Sequence, residues 1–130
     1  MSSIFSKIIA GEIPCYKVAE NNDFIAFLDV MPLVPGHVLV VPKKEVDYIF
    51  DLDSETYQGL WNFAHTVSHA VKKAIPCKRV GVAVIGLEVP HTHIHLVPLN
   101  AIDDINFTRP KLKLSPEEMN ETLEKIKACL

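Results

Sequence analysis

Residues 90–99 read PHTHIHLVPL, and the reading of this stretch organises the rest of the chain. Side chains along a strand alternate between its two faces with a period of two. An extended chain here sends His91, His93 and His95 to one face and Thr92, Ile94 and Leu96 to the other. Ile94 and Leu96 can then pack on a core while the imidazoles share the opposite surface. Like charges crowded on one face disfavour each other, so these rings are expected to be neutral in neutral solution. A neutral imidazole can serve as nucleophile, hydrogen-bond acceptor or metal ligand.

Outward from this strand, expected over residues 92–99, a second one is read over 79–85. It is rich in valine and poor in charge, a hazardous exposed edge and therefore a sensible pairing element between subunits. Residues 54–75 form the main helix, capped by Asp53 or Ser54 and stopped by Pro76. Its apolar stripe is Tyr57, Leu60, Trp61, Ala64, Val67, Val71 and Ile75, recurring every three to four residues. Towards the N-terminus, Ile4, Phe5, Ile8 and Ile9 suit a short helix over 4–10 that Gly11 ends and Pro14 cannot extend. Short strands are expected at 16–19, 24–30 and 37–41, with a hairpin loop at Asn21-Asn22-Asp23 and a turn at Pro35-Gly36. After a polar loop over 100–113, a last helix of about 115–129 is announced by a capping box, Ser115 with Glu118. Pro116 stands at its first position, Leu114 and Met119 can form a staple, and Met119, Leu123, Ile126 and Leu130 make its stripe. The order α-β-β-β-α-β-β-α predicts an α+β fold with a mostly antiparallel five-stranded sheet.

The 130 residues are expected to form one domain, with 48% apolar residues to build its core. Thirteen basic and sixteen acidic side chains leave a net charge of −3, which argues against a nucleic-acid partner. No apolar run approaches the roughly 20 residues that span a bilayer, and no signal peptide is read. Cys15, Cys77 and Cys129 are far apart and odd in number, which disfavours a disulfide framework or a cysteine zinc site and suits the cytoplasm.

Three readings of the histidine run compete. It can be a surface run without a role. It can be a metal site, with H-x-H on a strand and a third nitrogen from His95 or His37. It can be a nucleophilic centre directed at phosphorus, one ring nitrogen aimed at the phosphate and the other fixed by an acceptor.

The run His91-x-His93-x-His95-Leu96-Val97 resembles the H-x-H-x-H-x-x signature of the histidine triad (HIT) family of nucleotide hydrolases and transferases. Residues 4–18 (IFSKIIAGEIPCYKV) and 24–44 (FIAFLDVMPLVPGHVLVVPKK) are similar to the family in order and spacing, so the likeness covers roughly 4–99. The nearest branch resembles the small purine-nucleoside phosphoramidases. The resemblance implies a substrate carrying a nucleoside 5′-phosphoryl group, AMP-like, with a purine base expected. His93 would attack its α-phosphorus to give a covalent nucleotidyl-histidine, which water would open to the nucleoside monophosphate. A backbone carbonyl would hold the other nitrogen of His93, His95 and His37 would bond the phosphate oxygens or bridging atom, and His91 would orient the site. Asp29 would bind the ribose hydroxyls, and Phe5, Ile8, Phe27, Val30 and Leu39 would sandwich the base. The resemblance also implies a homodimer joining two sheets into one, and no cofactor or catalytic metal.

Departures from the pattern matter too. Relatives carry an Asn and a Gly-rich loop before the triad, whereas 84–91 here is short and places Glu88 at the usual hydroxyl position. Glu88 either turns from the phosphate or protonates a leaving amine. Some relatives hold a structural zinc by an N-terminal C-x-x-C and later histidines; Ser3, Ser6 and Glu45 stand at those positions, so none is expected here. The alternatives to an enzyme of this kind are a non-catalytic nucleotide-binding or adaptor protein and a metal-dependent hydrolase.

Overall fold

The computed structural model describes residues 2–130. The N-terminal helix α1 spans Ile4–Ile9, with the Ser3 hydroxyl accepting from the Ser6 amide as its cap. Gly11, at φ +80°, closes it in a Schellman arrangement: its amide bonds Ile8 O at 3.0 Å and the Glu12 amide bonds Lys7 O at 2.9 Å. Three strands follow, β1 (Lys17–Glu20), β2 (Phe24–Leu28) and β3 (Val38–Pro42). Asn21 makes the first hairpin by accepting from the amides of Asp23 and Phe24 through its side chain. Helix α2 covers Ser54–Ala74, β4 Arg79–Ala83, β5 Ile94–Leu99 and α3 Pro116–Lys127, with short 3-10 turns at Ile49–Asp51 and Ile102–Ile105.

All strand pairs are antiparallel, in the order β1-β2-β3-β5-β4. The predicted elements are all present, with ends that differ for local reasons. Strand β2 stops at Leu28 because the Met31 amide turns back to the Asp29 carboxylate at 2.9 Å. Strand β5 begins at Ile94 rather than Thr92 because the Thr92 amide and hydroxyl are both taken by Val46 O, outside the ladder. Helix α3 carries the expected capping box, but Leu130 lies past its end and is 56% exposed.

Alternation along the inner strands gives the sheet two buried faces. Ala26, Leu28, Val38, Val40, Ile94 and Leu96 point to one, against Leu60, Ala64, Val67 and Val71 of α2 and Met119, Leu123 and Ile126 of α3. Burying each such large aliphatic side chain stabilises the fold by roughly 1.5–3 kcal/mol. Ile25, Phe27, Leu39 and Val41 point the other way and are covered by Phe5 from α1. The histidines share this second face, since His95 pairs with Leu39 across β3 and β5.

Candidate active site

One turn, one strand and its lead-in segment bring four histidines together. Val34-Pro35-Gly36-His37 is a reverse turn, with the His37 amide on Val34 O at 3.2 Å and Gly36 at φ +91°. A Cβ on Gly36 would also stand 2.8 Å from Ile75 Cγ1. This turn delivers His37 to the start of β3, and the Asp29 amide, bonded to His37 O at 3.0 Å, draws the end of β2 alongside. His91 and His93 occupy the extended approach to β5 and His95 lies within it; all four rings are buried.

Each ring is held in one tautomer by its partners. The Leu33 amide donates to His37 Nδ1 at 3.0 Å, so the proton of neutral His37 sits on Nε2. That proton is donated to His95 Nδ1 at 2.9 Å, which puts the proton of His95 on its Nε2. His93 is opposite in sense. Its Nδ1–H is given to the His91 carbonyl at 2.7 Å, and Nε2 makes no hydrogen bond among the described residues, keeping its lone pair. His91 donates Nε2–H to Pro42 O at 2.7 Å and accepts at Nδ1 from the Ser3 hydroxyl at 2.7 Å.

Burial sets the charge of the group. It pushes His37 down to about 3, helped by His95, Lys111 and His93, and His95 down to about 4, helped by His93 and Lys111. His93 is also lowered, chiefly by burial and against the pull of the His91 carbonyl, and His91 is lowered by burial. The rings are therefore neutral at pH 7, as the crowding argument expected. Asp29 is raised by burial, with the Met31 amide and Lys111 opposing and Glu88 reinforcing.

Two cavities meet at His93. One, of about 220 Å³, is lined by Asp29, Glu88, His93, His95, Phe107 and Lys111. The other, of about 500 Å³, is bounded by Asp47, Tyr48, Phe50, Trp61 and Leu87 beside His93. His93, His95, Asp29 and the exposed Glu88 thus face one space. His37 stands behind His95, its Nε2 already committed to that ring. His91 is enclosed, with both nitrogens bonded to protein.

The apolar residues divide differently from the expectation of a shared sandwich. Phe5, Phe27 and Leu39 are buried together, and Phe5 lies edge-on to His93 with ring centres 5.0 Å apart. Ile8 packs at the rim of this cluster, half-buried, while Val30 is 62% exposed beyond β2. Phe107 and Lys111 were not singled out in the sequence. They sit in the stretch read as a polar loop, and nothing periodic marks them. Phe107 packs edge-on against His95 at 4.7 Å.

Metal-ligating atoms of Asp29, His37 and His95 lie within 4.8 Å of one another. The donor set does not fit a cation, because His37 Nε2 bears the proton that the Leu33 amide forces there. The zinc positions of some HIT relatives fare no better. Ser3, Ser6, Glu45 and His91 do come together, but as a closed hydrogen-bond cluster. The Ser3 amide and the Ser6 hydroxyl each donate to Glu45 Oε1 at 2.6 Å, and the Ser3 hydroxyl serves His91. Neutral hydroxyls replace the thiolates that zinc takes in structural sites, so these residues do not fit that ion.

The HIT domain family matches residues 10–102. An adenosine 5′-monophosphoramidase of Schizosaccharomyces pombe is 33% identical over 132 residues, covering 97% of this chain and 96% of the relative. An adenylylsulfatase of Arabidopsis thaliana is 30% identical, with 88% of this chain and 62% of the relative covered. The crystal structure of a Hit-like protein involved in cell-cycle regulation from Bartonella henselae superposes with a TM-score of 0.86 at 34% identity, covering 99% of this chain and 96% of that one. The fold, the register that aligns the histidines and these similarities converge: the chain belongs to the HIT family.

Proposed function

We propose that this protein hydrolyses or transfers the α-phosphoryl group of a purine nucleoside 5′-phosphoryl compound, such as a phosphoramidate, through a covalent nucleotide on His93. The observation that carries this reading is the one free imidazole lone pair among the four clustered rings. His93 Nδ1–H is bound to the His91 carbonyl at 2.7 Å, which aims Nε2 at a cavity shared with His95 and Asp29. The relatives named as an adenosine monophosphoramidase and an adenylylsulfatase support the same chemistry.

In the first step His93 Nε2 bonds to phosphorus as the bond to the leaving group breaks. The leaving nitrogen, protonated from solvent, departs as an amine. The ring keeps its Nδ1 proton and becomes cationic, and the His91 carbonyl stabilises it. His95 donates Nε2–H to a phosphate oxygen or the bridging atom. His37 acts through His95 in this geometry, fixing which nitrogen carries the proton. Water then attacks phosphorus, the N–P bond breaks, a proton returns to solvent and neutral His93 is restored. Glu88, exposed on the same wall, would exchange protons with the amine and the water. Asp29 would receive the ribose hydroxyls; of the five residues expected at the base, Ile8 and Val30 are accessible to it, while Phe5, Phe27 and Leu39 are buried together behind the site.

Two copies would join across α2 and β4. Strand β4 is an edge with Val82 48% exposed. Beside it, a cavity of about 460 Å³ is lined by Trp61, Ala64, His65, Ser68, Val82 and Leu96. Trp61 Nε1 is buried there without a partner among the described residues. Sedimentation should give a dimer that Val82→Lys dissociates. The free cysteines fit a reducing, cytoplasmic setting.

Incubation with adenosine 5′-phosphoramidate in the presence of EDTA should release AMP, and His93→Ala should abolish release while AMP still binds. Mass spectrometry of the quenched reaction should find the nucleotide on residue 93. AMP binding without turnover would instead favour a binding protein, and loss of activity to EDTA a metal-dependent hydrolase.

A further inference from the structure

The four histidines are uncharged, while the group brought to them on the reading above is an anion. The 220 Å³ cavity has two carboxylates on its wall, Asp29 and Glu88, and one cation, Lys111. We propose that Lys111 is the phosphate-binding cation of this site, its ammonium pairing with the non-bridging oxygens of the α-phosphate held against His93. The inference rests on the nucleotide chemistry proposed above and adds a residue outside the histidine cluster to it.

The geometry that holds Lys111 is built rather than incidental. Lys111 Nζ donates to Phe107 O at 2.7 Å and lies 5.7 Å from the centre of the Phe107 ring. That ring meets His95 edge-on, so ammonium, aromatic ring and imidazole touch in series along the cavity wall. The segment is latched to the loop that serves His37. The Leu112 amide bonds Pro32 O at 2.9 Å, one residue before the Leu33 amide that fixes the His37 tautomer. An ammonium has three donors, and the Phe107 carbonyl takes one. No carboxylate lies within ion-pair distance of Lys111 among the described residues, so the remaining donors are free for a ligand.

Electrostatics calls for such a group. A phosphate entering beside Asp29 and Glu88 meets repulsion, and neutral imidazoles offset it only with hydrogen bonds. In phosphoryl transfer, negative charge on the non-bridging oxygens is stabilised by fixed cations such as Lys, Arg or a metal. The half-buried Lys111 already shifts Asp29, His37 and His95 by its charge, so its field spans the site.

The test compares AMP with adenosine, which has no phosphate. Lys111→Met keeps most of the stem and removes the charge; Lys111→Arg keeps the charge. Calorimetry should show AMP binding weakened about 10- to 100-fold in Lys111→Met, adenosine binding unchanged, and most of the AMP affinity recovered in Lys111→Arg. The kcat/KM for adenosine 5′-phosphoramidate should fall in parallel, and added salt should weaken AMP binding more in the wild type than in Lys111→Met. Unchanged AMP affinity and turnover in Lys111→Met, with a wild type that binds AMP, would overturn this inference and leave the nucleotide reading standing. Equal loss of AMP and adenosine would also overturn it, marking Lys111 as part of the wall alone. A wild type that binds no AMP would end both.

Discussion

Acidification should destabilise this protein early and steeply, through its buried imidazoles. His37 has an ordinary value of 6.5 and is held at about 3 in the fold, by burial first and then by His95, Lys111 and His93. Between those values the unfolded chain binds a proton that the folded chain refuses. The stabilising effect of neutral His37 is therefore fully present above pH 6.5 and is lost as pH falls towards 3. At pH 4.5, two units below the unfolded value, the loss from His37 alone is roughly 3 kcal/mol, from about 1.4 kcal/mol per unit. His95, held at about 4, adds a similar amount over the same interval. Against a total stability of about 5–15 kcal/mol, the combined loss of about 6 kcal/mol removes a large share of it by pH 4.5. Urea denaturation at several values between about pH 7 and pH 4.5 should show midpoints falling with a slope of about two protons per molecule. Ring nitrogen shifts by NMR should report His37 as neutral throughout and His95 as neutral down to about pH 5. Flat midpoints over that range, or His37 titrating near its ordinary value, would refute the account of how these rings are held.

Other expectations follow from individual contacts. The kcat/KM should hold from neutral pH to below the ordinary imidazole value of 6.5 and then fall as His93, whose value burial lowers, and His95, held at about 4, take up protons; a midpoint at or above 6.5 would contradict the burial argument. Gly36→Ala should cost about 1–3 kcal/mol in thermal or urea unfolding, from a residue at φ +91° and a Cβ 2.8 Å from Ile75, and it should lower kcat by displacing His37. Ser3→Ala should cost about 1–2 kcal/mol, because it removes the cap of α1 and leaves His91 Nδ1 without its near donor. Phosphoramidate turnover should be unaffected by chelators, because the proton on His37 Nε2 spoils the one metal-like cluster among the described residues.

How far the chain could be read depended on whether the information was local. The α2 stripe from Leu60 to Val71, the Ser115–Glu118 capping box and the Pro35-Gly36 turn are patterns within a few residues, and the structure repeats them. Element ends were less legible, because they were decided by distant partners: the Thr92 amide bonds Val46 O, which shortens β5. Phe107 and Lys111 left no periodic trace, since a wall residue in an irregular segment is recognised by what it faces.

By itself, the sequence determined that three imidazoles with a period of two would share a face opposite Ile94 and Leu96, because alternation is a property of the extended backbone. It also determined the helices, the turn before His37 and the likeness to the HIT family. Only the tertiary structure decided what each ring does. His95 takes its tautomer from His37, 58 residues away, and His91 takes its partner from Ser3, 88 residues away. A ring's proton follows whichever donor or acceptor comes within about 3 Å, and those neighbours are chosen by the packing of the whole sheet.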